Sequence, residues 1–220
     1  MLMVISPAKA LNFAPPAQVL PLTTAAFKDD IAELDTVTRK LSVRQLRSLM
    51  DISDNLAKLN RERFQAFDPA VEDGLQAAIA FNGDVYSGLG ARTLDKKSML
   101  WAQDHLRILS GLYGLLRPLD ALQPYRLEMG SRLKTKRGTN LYKFWGAKIA
   151  EALNEAGQRH KDPTLINLAS QEYFGAVDLT ALRLPLVTCL FKEEREEATK
   201  QISFMAKKAC LLYTSPSPRD

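Results

Sequence analysis

The chain has 220 residues, 46% hydrophobic and 25% charged, with a formal net charge of +5. These proportions suit one globular domain with a sizeable core and exclude wholesale disorder. No apolar run approaches the roughly 20 residues that cross a bilayer, and Cys189 and Cys210 are too few for a disulfide framework, as suits a reducing cytoplasm.

The opening "MLMVISPAKALNF" lacks the basic and long apolar regions of a signal peptide. It predicts a short buried strand, Met1 to Ile5, running into a Ser-Pro turn. From Thr23 to Asn82 the pattern is helical. Ser42 and Gln45 form a capping box ahead of Leu46 and Leu49. Ser53 opens a second helix with Leu56, Leu59, Phe64 and Phe67 at helical spacing, and Lys58, Arg61, Glu62 and Arg63 read as its solvated face. "FNGDVYSGLG", Phe81 to Gly90, reads as a glycine-rich turn without the spacing of a phosphate loop.

Ser98 is the expected cap of a helix through Leu109. Asn140 opens another through Ala156, with Leu141, Phe144, Trp145, Ile149 and Leu153 inward. The period then shortens. "TLINLAS" (Thr164 to Ser170), "PLVTCLF" (Pro185 to Phe191) and "QISFMA" (Gln201 to Ala206) have the length and β-branched content of buried strands. With no internal repeat and no long linker, the expectation is a single compact α+β domain, a mixed β-sheet covered by helices.

The charge is concentrated. Between Trp101 and Ala150 nine Lys and Arg face three acids, an excess of six, which leaves the rest of the chain close to neutral. Such a field favours anionic partners, nucleic acid or phosphorylated small molecules. Its centre is "LRILSGLYGLLRPLDALQPYRLEMGSRLKTKRG", residues 106 to 138. Here Gly111 and Gly114 invite two short helices joined by a glycine hairpin, whose bare N–H groups would hold a phosphate with Arg107 and Arg117 beside them. The alternative is a helix C-cap glycine followed by a packing turn. Further on, Tyr125, Leu127 and Met129 alternate with Arg126 and Glu128, which an extended segment places on one face. Arg132, Lys134, Lys136 and Arg137 then form a basic loop, read either as a charged hairpin or as the rim of an anion-binding cleft.

A second set of polar residues falls at or just after predicted strand ends: Lys9, Arg126, Glu128, Asn167, Ser170, Glu172, Lys207 and Lys208. Open α/β sheets build their sites there. A lysine among other cations would serve as base or nucleophile and Glu172 as general acid or base, although no hydrolase, kinase or dehydrogenase motif is matched. No cofactor is implied. With only His105 and His160 far apart in sequence, no metal site is expected.

The stretches "LMVISPAKALNF", "FNGDVYSGL", "LRILSGLYGLLRPLDALQPYRLEMG", "LYKFW", "INLASQEYF" and "ISFMAKKA" follow one another in the order and spacing of the YaaA family, the bacterial peroxide stress resistance proteins. The chain resembles that family from Met1 to about Ala209. The resemblance implies a cytosolic, compact mixed α/β protein with a positively charged cleft and a helix-hairpin-helix-like element. It also implies a role in surviving hydrogen peroxide by limiting iron-dependent damage, and binding to duplex or branched DNA. On this chain the hairpin falls on Leu106 to Leu116 and the basic rim on Arg126, Arg132, Lys134, Lys136 and Arg137. The family's other motifs fall on Ser6 to Lys9, Asn167 to Tyr173 and the pair Lys207 and Lys208.

The last eleven residues, "CLLYTSPSPRD" (210–220), match the translation of a transposase adapter used in short-read sequencing. The expected division is therefore a family-like domain over 1–209, incomplete at its C-terminus, followed by a non-native tail. Two functions follow. The preferred one is a cytosolic stress protein that binds DNA through backbone phosphates at Arg107, Gly111, Gly114, Arg117, Arg132, Lys134, Lys136 and Arg137. The other is an enzyme that acts on a small anionic or nucleotide-like substrate in the basic cleft.

Overall fold

A computed structural model of the chain describes residues 1–16, 20–189, 192–195 and 198–201. The elements run β1 (Leu2–Ile5), β2 (Ala10–Leu11), α1 (Lys28–Thr38), α2 (Val43–Met50), α3 (Asp54–Ala66), β3 (Leu75–Gln76), α4 (Ala77–Ala80), β4 (Phe81–Asn82), α5 (Asp84–Leu89) and α6 (Lys96–His105). They continue with β5 (Leu106–Ser110), β6 (Gly114–Leu116), β7 (Ala121–Leu122), α7 (Leu141–Trp145), α8 (Lys148–Gly157), β8 (Leu165–Asn167), α9 (Gln171–Phe174), β9 (Leu186–Thr188), β10 (Lys192–Arg195) and β11 (Ala198–Gln201).

The main sheet has the order β6-β5-β1-β8-β9. β1 pairs in parallel with β5 on one side and β8 on the other, and β8 with β9, while β6 runs antiparallel at the edge. All four residues of β1 are buried, which accounts for its unbroken "LMVI": a central parallel strand is covered on both faces. This is the mixed sheet with helices that the hydrophobic patterning predicts. Among the described residues no helix is long and apolar enough to cross a membrane.

Helix starts follow local chemistry. Ser42 and Gln45 close a reciprocal capping box on α2, and the Ser53 hydroxyl accepts from the Leu56 N–H at the head of α3. The face of α3 differs from the expectation: Ala57, Asn60 and Phe64 point inward, while Leu56 and Leu59 stay exposed. Segment 81–90 is not merely a turn, since 84–89 forms α5, stopped by Gly90 in the left-handed region (φ 60°). α6 is capped by Asp95 rather than Ser98, because the Asp95 carboxylate accepts the Ser98 N–H. It ends at His105, where the chain enters β5.

The helix expected from Asn140 to Ala156 is two. Asn140 caps α7, Gly146 (φ 49°) breaks it, and α8 resumes at Lys148; all five expected inward residues are buried. β8 and β9 fall inside their expected segments, but β9 is exposed along its length rather than buried. Of "QISFMA" only Gln201 is described. Lys207, Lys208 and residues 210–220 lie outside the described residues.

The largest correction concerns residues 106–116, where no helix-hairpin-helix is present. They form a β-hairpin, β5 and β6, with Ile108 opposite Leu116 and Ser110 opposite Gly114. The stretch "LRIL" is apolar on both faces apart from Arg107, and five buried residues in a row fit a sheet interior better than an amphipathic helix.

Candidate functional site at the strand ends

In the main sheet the chain leaves β1 for β5 on one side and leaves β8 for β9 on the other. The connections at the carboxyl ends of β1 and β8 therefore diverge, and a divergence of this kind opens a crevice between neighbouring strands. Ser6 follows β1 directly and is buried; Ser170 follows β8 by three residues. The Ser170 N–H donates to Ser6 Oγ at 2.9 Å, and Ser6 Oγ donates to Ser170 Oγ at 3.2 Å. The Tyr86 hydroxyl donates to the Ser6 carbonyl at 3.0 Å. Asn167 does not reach into the crevice: its Oδ1 accepts the Ala169 N–H at 2.9 Å and so shapes the turn that presents Ser170.

The extended segment 125–129 lies along this edge, and the expected alternation holds. Tyr125, Leu127 and Met129 are buried, while Arg126 and Glu128 share the other face. Arg126 Nη2 donates to Glu128 Oε1 at 2.7 Å, and Lys9 Nζ stands 3.0 Å from Glu128 Oε2. One carboxylate thus bridges two cations. Arg126 and Glu128 are mostly buried, whereas the Lys9 side chain is 64% exposed and free to swing. Glu172, on α9, accepts the Gly130 N–H through Oε1 at 2.9 Å, and its Oε2 takes no bond among the described residues. Lys9, Arg126 and Glu128 line a narrow recess with Pro7, Tyr125 and Tyr173.

Burial pushes the hydroxyls of Tyr86, Tyr125 and Tyr173 up, with neighbouring tyrosines adding to the effect on Tyr86 and Tyr173, so all three remain protonated donors. Tyr125 OH lies 2.6 Å from Ser110 Oγ at the end of β5. The arrangement offers anion-binding cations, one carboxylate with an open oxygen and a row of hydroxyls. That inventory suits binding an anionic ligand and moving a proton on it.

Sequence reasoning did not single out Ser6, Tyr86 or Tyr125 as site residues. The Ser-Pro step closing the first strand was a signal for Ser6. Tyr86 and Tyr125 are brought in only by the packing of α5 and of segment 125–129. Gly83 is part of the same fit, since a Cβ there would stand 3.0 Å from Ala8 Cβ.

The residues expected to grip DNA divide into two groups. Arg107 is buried and donates to the carbonyls of Gln103, Asp104 and Leu106; burial first, then Arg117, brings its guanidinium down to about 10. Gly111 and Gly114 form the buried turn of the β-hairpin, where Trp145 Nε1 donates to the Gly111 carbonyl at 3.1 Å. Arg117 pairs with Asp120 at 2.9 Å. Arg137 binds Asp30 and Glu33 and lies 4.4 Å over the Phe144 ring. Arg132, Lys134 and Lys136 are exposed and form no ion pair among the described residues.

His105 and His160 meet at the opposite, amino-terminal edge of the strands, rings tilted with centroids 4.5 Å apart, and Trp101 stacks on His105 at 4.3 Å. Among the described residues no three of His, Cys, Asp and Glu converge as a metal-binding group.

A family model described as peroxide stress protein YaaA matches residues 1–210. A UPF0246 protein of Caulobacter vibrioides (strain NA1000 / CB15N) is 69% identical over 209 residues, covering 95% of this chain and 82% of the relative. UPF0246 proteins of Phenylobacterium zucineum (66% over 209 residues; 95% and 79% covered) and Roseobacter denitrificans (54% over 213 residues; 95% and 82% covered) are also similar.

Proposed function

The chain belongs to the YaaA family of peroxide stress proteins, and on that premise we propose that it acts in the peroxide response through the strand-end site, as an enzyme on a small anionic, nucleotide-like substrate. The observation that carries this reading is the convergence of Lys9, Arg126 and Glu128 with Ser6, Ser170 and Glu172 where the connections of β1 and β8 diverge. In this reading Lys9 and Arg126 hold the anionic group, and the open oxygen of Glu172 accepts or returns a proton. Ser6 and Ser170 fix the loop that carries Glu172. Lys9 has to release Glu128 to admit a ligand, and its exposure makes that movement inexpensive.

The reading is tested by melting the protein against a panel of nucleotides and sugar phosphates. A rise in melting temperature with a phosphate-bearing compound, lost in Arg126→Ala, supports it. No shift with any compound at millimolar concentration, together with full rescue of peroxide survival by Arg126→Ala and Glu128→Gln, rejects it.

A second reading rests on Arg132, Lys134 and Lys136, exposed beside Gly130 and without carboxylate partners among the described residues. There the protein acts on DNA through phosphate contacts made by this loop, limiting iron-dependent damage by covering the duplex. The buried hairpin takes no part in it.

A further inference from the structure

Tyr86, whose hydroxyl donates to the Ser6 carbonyl, also lines a cleft that the strand-end site leaves unused. The outer lobe of this cleft, about 140 Å³, has Phe81 and Tyr86 in its wall, ring centroids 5.3 Å apart, and the exposed Asn82 and Ser87 at its rim. Its inner lobe is a void of about 20 Å³ bounded by Gln76, Leu94, Met99 and Leu119. Ile79, Ala91 and Arg92 line both, so the two are parts of one cleft.

The inner lobe holds an unsatisfied acceptor. Gln76 is only 2% exposed, and its Nε2 donates to the Leu20 carbonyl at 2.5 Å. A carbonyl can only accept, so this bond fixes the amide orientation and leaves Oε1 buried without a donor. Arg92, the other polar side chain on this lobe, is already committed: it donates to the carbonyls of Asn12 at 2.7 Å and Ala14 at 3.0 Å. One water would fit by size, but a buried water is held by two to four polar partners, and the remaining lining side chains are apolar. The lobe suits a group the size of water, carrying a hydrogen to donate and attached to something apolar. A primary amino group on a flat ring meets all three conditions.

We propose that this cleft seats the base of an aminopurine nucleotide, with the ring in the outer lobe and the exocyclic amino group donating to Gln76 Oε1. A largely apolar pocket in which one buried polar group fixes orientation is the usual form of such a site. The inference rests on the strand-end reading for the anionic half of the ligand and adds the chemistry of the other half. Cleft and recess adjoin through two contacts, the Tyr86–Ser6 bond and the close approach of Gly83 to Ala8, a residue of the recess wall.

The test titrates the full chain with adenosine, inosine and adenosine monophosphate, read by calorimetry and by melting. Inosine carries an acceptor where adenosine carries the amino group, and it is expected to bind at least about tenfold more weakly. Gln76→Met keeps the shape of the side chain, removes the acceptor, and should bring adenosine down to the level of inosine. Ser87→Trp, at an exposed position on the rim, should exclude both nucleosides. Equal binding of adenosine and inosine, or discrimination that survives in Gln76→Met, overturns the base site. If the monophosphate binds through Arg126 but ignores Gln76→Met and Ser87→Trp, the base site is overturned and the strand-end reading stands. If adenosine binds as expected while Arg126→Ala leaves the monophosphate unchanged, the strand-end reading falls and the base site stands. If no probe binds, both fall. Should Gln76→Met fail to fold, Ser87→Trp decides: loss of adenosine binding supports the base site, and full binding overturns it.

Discussion

Gly111 and Leu127 meet backbone to backbone, so closely that a Cβ on Gly111 would stand 2.3 Å from the Leu127 carbonyl oxygen. Leu127 is the residue between Arg126 and Glu128. The tight glycine turn between β5 and β6 is therefore the wall against which the charged segment of the site is pressed. Trp145 secures the turn from another side through its indole N–H. Gly114 is needed for two further reasons: its φ of 68° suits glycine, and a Cβ would fall 2.7 Å from the Trp145 ring.

Gly111→Ala is accordingly expected to cost about 1–3 kcal/mol by overpacking and to displace the Arg126–Glu128 pair. Gly114→Val is expected to destabilise by about 1 kcal/mol or more while leaving the DNA affinity of the folded fraction unchanged. Thermal melts and a DNA titration on each variant check this. A Gly114→Val protein that melts normally yet loses DNA binding would restore the hairpin as a phosphate clamp.

The basic loop gives opposite expectations for neighbouring residues. Joint replacement of Arg132, Lys134 and Lys136 by Ala should leave stability nearly unchanged. If they contact DNA, it should flatten the dependence of log affinity on log salt by about 0.9 per phosphate lost. Arg137→Ala should leave that slope alone and cost stability, about 1 kcal/mol or more, because Arg137 binds Asp30 and Glu33 and covers Phe144. Equal effects of all four residues on the slope would contradict this division.

At the other end of the strands, burial first, and then the Met1 amino group and His105, hold His160 below its usual 6.5. A base whose folded value is depressed takes up protons more readily when unfolded. Its contribution to stability is thus intact above about pH 6.5 and is lost as pH falls toward the lowered folded value. His160→Gln should flatten the melting temperature on that acid side and change little at pH 8. An unchanged acid-side slope in the variant would remove His160 from the account.

Residues 210–220 carry a prediction about the gene rather than the fold. Sequencing the source locus across codon 209 should show a reading frame that departs from "CLLYTSPSPRD". Finding those codons in genomic DNA would refute the adapter reading.

Much of the candidate site was legible in the sequence. Polar residues at predicted strand ends named Lys9, Arg126, Glu128, Ser170 and Glu172, and period-two alternation put Arg126 and Glu128 on one face. Both are local signals, set by side-chain type and by the pitch of an extended chain. The caps at Ser42, Ser53 and Asn140 were legible for the same reason, since a helix start depends on a few adjacent residues.

What lay between helix and strand was not. A short apolar run such as "LRIL" satisfies either period, and only burial on both faces between neighbouring strands made it β5. The charges posed the same difficulty. Arg107, Arg117 and Arg137 read like Arg132, Lys134 and Lys136 in a linear count, yet Arg107 is turned back on the carbonyls of Gln103, Asp104 and Leu106, Arg117 on Asp120, and Arg137 meets Asp30 and Glu33 from far along the chain. Arg63 is the converse, a cation that the sequence pattern assigned to the solvated face of α3 and that the fold leaves half-buried. Local sequence determines which residues favour which backbone. Which charges are neutralised, and which are left to meet a ligand, depends on burial that turns a side chain back on its neighbours, as at Arg107 and Arg117, or on carboxylates distant in the chain, as at Arg137, and only the folded arrangement decides either.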